Sequence, residues 1–189
     1  MFSIPKNRKT LLFILAIGSP IAFSVWQALL NNFAVEVANF GGKEIGMLQS
    51  FREVPGFLAF TVVFLLLIIR QQNFAILSLI ILGIGTALTG FFPSIIGLYI
   101  TTVTMSIGFH YLETLRSSLS LQWLSKDEAP RVLGKLLSVH SASTLVVLSI
   151  LYIVVFMFEP NYPWLYATAG FTGKCLATLF LYTLTVEQT

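Results

Sequence analysis

The sequence predicts an all-α integral membrane protein of six transmembrane helices, and three observations carry that prediction. Of 189 residues, 56% are hydrophobic and only 10% are charged, with a mean hydropathy of +0.86. A soluble domain has about 25% charged residues, so this chain is far too poor in charge to be one. Its apolar residues fall into six stretches of about 20 or more, each long enough for a ~30 Å hydrocarbon core. Within them stand continuous runs such as Val62-Val-Phe-Leu-Leu-Leu-Ile-Ile69 and Ile76-Leu-Ser-Leu-Ile-Ile-Leu82. A β-barrel would instead alternate polarity over strands of about 10 residues.

The first span is expected at residues 11–35. It follows Lys6, Arg8 and Lys9 as a signal peptide would, but no small-x-small cleavage site follows and the apolar character runs past Trp26. It is read as an uncleaved helix. Asn39-Phe-Gly-Gly42 breaks the chain, and the second span is expected at 44–69, with Pro55-Gly56 as a candidate bend. A polar Gln71-Gln72-Asn73 connection leads to the third span, 73–92, and Phe92-Pro93 to the fourth, 94–124. The loop Ser125-Lys-Asp-Glu-Ala-Pro130 is the longest charged connection, its proline suited to the first turn of the fifth span, 131–158. Glu159-Pro-Asn-Tyr-Pro163 then opens the sixth, 162–185. Residues 1–189 read as one six-helix domain.

Lysine and arginine placement sets an expected orientation. With the N-terminus cytoplasmic, Lys6, Arg8, Lys9, Arg70, Lys126, Arg131 and Lys135 fall inside and only Lys43 outside. Both termini are then cytoplasmic, as in a multi-pass protein of a bacterial inner membrane. The lone Cys175 excludes an internal disulfide.

Several spans contain formal charges. Arg52 and Glu53 lie in the second, His110, Glu113 and Arg116 recur every third residue in the fourth, and Lys174 interrupts the sixth. Each costs roughly 2.5–3.5 kcal/mol in hydrocarbon even on the lenient insertion scale, so such groups face a bundle interior or a water-filled cavity. At about 100° per residue, Ser106, His110, Glu113, Ser117 and Ser120 share one side of the fourth helix, with Arg116 at its edge. Pro20, Ser24, Gln27 and Asn31 share a face of the first. Gln49, Glu53 and Gly56, with Arg52 alongside, do so in the second, and His140, Ser143 and Thr144 in the fifth. The third span is aliphatic apart from Ser78, Thr86 and Thr89. It is expected to be peripheral and lipid-contacting, with Gly83, Gly85 and Gly90 allowing close helix packing. The expected cavity is therefore lined by spans one, two, four and five, and Lys174 leaves the sixth ambiguous.

Glu113 and Glu53 are the candidate titrating carboxylates, and Arg52 and Arg116 their partners or anion-binding groups. Gln27, Asn31 and His140 are candidates for cavity hydrogen bonds, and His110 joins Glu113 and Arg116 as a candidate for substrate or proton handling. The competing structural reading makes Glu113–Arg116 a self-neutralised i,i+3 pair. No His-Glu-x-x-His or paired-cysteine spacing, Gly-x-Ser-x-Gly elbow, phosphate loop or dinucleotide fingerprint occurs, so no metal, cofactor or enzymatic activity is expected. Basic residues sit at helix ends rather than in a patch, which points away from nucleic acid.

The six short-looped spans, Gly46-Met-Leu-Gln-Ser-Phe-Arg-Glu-Val-Pro-Gly-Phe-Leu-Ala-Phe60 and Ser106-Ile-Gly-Phe-His-Tyr-Leu-Glu-Thr-Leu-Arg116 resemble the amino-terminal half of a major facilitator superfamily transporter of an uncharacterised bacterial branch. The family's basic Gly-x-x-x-Asp-Arg-x-Gly-Arg loop is absent, with Ile69-Arg-Gln-Gln-Asn73 in its place, which implies a divergent member. The resemblance implies two inverted three-helix repeats and alternating-access transport of a small solute, with proton coupling as an option. It also implies a truncated or half-size transporter, completed by a second six-helix half or by homodimerisation. The alternative is a structural or assembly membrane protein without transport activity.

Overall fold

The computed structural model describes residues 6–186, with side chains for 8–172, 175 and 176. The protein is helical, with no strand among the described residues. Its elements are α1 (Lys6–Glu36), α2 (Gly42–Phe57), a 3-10 turn (Leu58–Thr61), α3 (Val62–Leu65), α4 (Gln71–Thr89), α5 (Ile95–Trp123), α6 (Ala129–Met157) and α7 (Tyr162–Val186). Arg8–Glu36, Gly42–Leu65, Gln71–Thr89, Ile95–Trp123 and Ala129–Met157 are each long and apolar enough to cross a membrane. This makes the chain a multi-pass membrane protein. The sixth expected span is α7, 25 residues long.

The helices α5, α6 and α7 lie close to the expected spans, whereas α1 begins five residues earlier, at Lys6; several of the ends carry local signals. Asn39 adopts the left-handed conformation (φ 55°) that lets the chain turn after α1. Ser94 caps α5 by accepting from the Gly97 amide at 3.1 Å. Pro130 occupies the first turn of α6. The second span differs from expectation. It is not one helix over 44–69 but α2, a 3-10 turn and the short α3, after which residues 66–69 form turns.

Helix pairings define two layers. In the front layer, α2 packs on α5, α5 on α1, and α1 on α6; α5 and α6 barely touch. Behind them, α4 packs on α5, α7 and α1, and α7 also packs on α1. The third span is thus central rather than peripheral, which overturns the sequence expectation. Phe74, Ala75, Ile76, Ser78, Leu79, Leu82, Thr86 and Thr89 of α4 are all buried. The physical reason is backbone proximity. A methyl group on Gly85 would overlap the backbone of Met105, and one on Gly108 would overlap that of Leu82. On the other side of α4, a methyl on Gly170 would overlap the Gly83 carbonyl. Small residues let helices approach until backbone meets backbone, where dispersion contacts are densest. The expected packing role of Gly83, Gly85 and Gly90 is therefore borne out, with Gly90 set against Pro163 and Tyr166 of α7.

Polar ties close the bundle at each end. Lys9 Nζ meets Glu128 Oε1 at 2.9 Å, and the Arg8 guanidinium lies 5.6 Å above the Trp123 ring. At the opposite end, Tyr162 Oη donates to Glu36 Oε2 at 2.5 Å. The Lys9 and Glu128 side chains are 34% and 44% exposed, so water screens their attraction. Glu128→Gln is accordingly expected to change unfolding free energy by less than about 1 kcal/mol. A larger loss in a thermal-unfolding series would show that this tie anchors α1.

Candidate functional site

The intramembrane charges of α2 and α5 form two clusters rather than one stripe. The first depends on the irregular end of α2. Pro55 has no amide hydrogen to offer the carbonyl four residues earlier, and the helix yields to a 3-10 turn two residues after Pro55-Gly56. Three contacts bind this stretch to α5. The Ser106 hydroxyl donates to the Arg52 carbonyl. Gly56 lies under His110, close enough that a methyl there would stand 2.9 Å from the imidazole Cε1. The Thr61 and Tyr111 hydroxyls meet at 2.6 Å.

Held this way, Arg52 and Glu53 border a cavity of about 230 Å³ whose other walls are Phe23, Gln27, Phe109 and His110. The Arg52 Nε and Nη2 both donate to Glu53 Oε1, at 2.9 and 2.6 Å. Phe23 and Phe109 stack with centroids 4.0 Å apart and planes 11° apart, which gives the cavity a flat apolar wall. Neither phenylalanine carries a sequence signal beyond position: Phe23 precedes Gln27 by one helical turn, and Phe109 adjoins His110.

The second cluster joins α5 to α6. Arg116 Nη2 donates to Glu113 Oε2 at 2.6 Å, and Arg116 Nη1 lies 3.5 Å from His140 Nδ1, the outer limit of a hydrogen bond. Glu113 Oε1 is buried with no donor in reach.

Several expectations change on this geometry. His110 belongs with Arg52, Glu53 and Gln27, not with Glu113 and Arg116. Ser106 and Ser120 do not face a cavity: both are buried, Ser106 against α2 and Ser120 bonded to the Arg116 carbonyl at 2.8 Å. The walls of the cavity come from α1, α2 and α5, while the fifth span contributes only His140, to the second cluster. Asn31 is exposed one turn beyond Gln27 and lines no part of the cavity. The Lys174 side chain lies outside the described residues.

The fold and the two clusters define an all-helical, multi-pass membrane protein whose two intramembrane ion pairs, among the described residues, lie on α2 and α5. Comparisons with protein-family models, curated proteins and solved structures returned no match.

Proposed function

We propose that this chain is a six-span unit of a solute transporter of the major facilitator type, working by alternating access and coupled to protons through Glu113. The observation that carries the reading is the concentration of intramembrane charge on α2 and α5, beside a half-open cavity and a gap between α5 and α6. Lipid cannot solvate such a layer. A facing six-span unit, either a separate half or a second copy, with water between, would do so. The main helix pairings add support: exchanging spans one to three with four to six maps α1–α6 onto α5–α2 and α1–α7 onto α5–α4. These correspondences are those expected of two three-helix repeats, which this reading takes as inverted, while α1–α4 has no α5–α7 counterpart among the described residues. In this reading both termini face the cytoplasm of a bacterial inner membrane, and Lys9 and Glu128 mark the cytoplasmic end.

The two ion pairs also support a second reading, a non-transporting assembly protein. Each pair forms within its own helix, as in a closed bundle. Thiol labelling in membranes separates the two. With Cys175 replaced, a cysteine at Ser117, exposed one turn from Glu113, is expected to react with a membrane-impermeant reagent. One at Ser106, buried against α2, is expected to be protected. Protection at both positions would sink the transporter reading.

A further inference from the structure

We infer that the cavity between α1, α2 and α5 binds a small zwitterion of amino-acid size, its carboxylate at Arg52 and its ammonium at Glu53. This assignment rests on the transport reading, of which it names the solute class. The charged groups bordering the cavity have unused hydrogen-bonding capacity. Arg52 has five donor hydrogens and directs Nε and Nη2 to a single oxygen, Glu53 Oε1, so both hydrogens of Nη1 remain to offer. Glu53 Oε2 accepts nothing among the described residues, and its side chain is 51% exposed. The Gln27 amide and the His110 ring nitrogens form no hydrogen bond among the described residues and border the same space.

Charge then narrows the class. Arg52 and Glu53 cancel, so the ion pair brings no net charge to the cavity. A net anion or cation would leave one charge uncompensated in a partly desolvated site, which is costly. A zwitterion keeps the balance, and its two ends match the free guanidinium donors and the free carboxylate oxygen, both of which form strong charge-assisted bonds. Size and shape narrow it further. About 230 Å³ admits a molecule of amino-acid dimensions. The stacked Phe23–Phe109 pair offers a flat apolar surface to a side chain, and Gln27 and His110 can complete the hydrogen bonds at either end.

The geometry also explains the rigidity such recognition needs. Ser106 holds the Arg52 carbonyl, and Gly56 lets His110 lie flat against α2. The charged pair thus projects from backbone pinned to α5 on both sides, which lowers the ordering cost on binding.

The test uses the purified full chain in lipid nanodiscs, titrated calorimetrically with L-leucine and with its two half-molecules, isocaproate and isoamylamine. L-leucine is expected to bind saturably, and each half-molecule at least about tenfold more weakly. Glu53→Gln should bring L-leucine down to the level of isocaproate, and Arg52→Gln to the level of isoamylamine, with helicity by circular dichroism unchanged. Should either variant lose its helicity, Gln27→Leu serves in its place, with an expected loss of L-leucine affinity of about threefold or more. Isocaproate or isoamylamine binding as tightly as L-leucine would overturn the proposal, as would no L-leucine binding to the folded chain. The two readings fail separately. Binding without uptake in proteoliposomes would sink transport and leave the cavity assignment standing, whereas uptake of another solute without L-leucine binding would sink only the zwitterion.

Discussion

Glu113→Gln is expected to abolish pH-gradient-driven solute uptake in proteoliposomes while leaving the bundle folded. Glutamine keeps the size of the side chain and an oxygen for Arg116 Nη2, which now donates to Glu113 Oε2 at 2.6 Å. What disappears is the ionisable carboxyl, whose Oε1 is buried without a hydrogen-bond partner among the described residues. With no ionisable group left at this position, coupled uptake should fall to the level of protein-free vesicles. Solute exchange down its own gradient should survive, because the Arg52–Glu53 cavity is a separate cluster. Unchanged coupled uptake in Glu113→Gln would remove this residue from the mechanism. Loss of both coupled uptake and downhill exchange would show that the two clusters act as one.

The largest effect on stability is expected at Gly108. Its α-carbon faces the Leu82 backbone and the Ser78 carbonyl of α4, so a side chain there meets main chain that has no rotamer with which to yield. Gly108→Leu should destabilise the protein by at least about 3 kcal/mol, beyond ordinary overpacking, because two helices must separate along their length. Gly170→Leu, against the Gly83 carbonyl, should behave alike. Gly134→Leu on α6 is the control: it has open space around it and should lie within about 0.5 kcal/mol of the parent or slightly above it. Denaturation of the purified protein in detergent decides the matter. Equal losses at 108 and 134 would mean that helix propensity, not packing, sets the response.

Much of the architecture was legible in the residues. Span number, the turn-marked span ends and the Glu113–Arg116 pair follow from hydropathy, turn chemistry and i,i+3 spacing, all of which act within a few residues of chain. The misplaced third span shows where such reasoning stops. A strip of Leu, Ile and Gly is equally at ease against lipid and against another helix, since both are apolar. Only the partners of Gly85 and Gly83, namely Met105 and Gly170, put α4 at the centre. The stripe on α5 shows the same limit. His110 and Glu113 are one turn apart on one side of the helix, and their sequence spacing is right. The one meets Gly56 of α2, while the other's partner Arg116 reaches toward His140 of α6.

By itself, then, the sequence determined that this is a multi-pass helical membrane protein with charges it cannot leave in lipid. Local hydrophobicity and helical periodicity suffice for that, because bilayer thickness sets the length of every span. The tertiary structure decided which helix is central and how those charges divide between a cavity and a carboxylate–guanidinium–imidazole cluster. Those outcomes depend on which faces meet across the bundle, and contacts between distant segments leave no period in the chain.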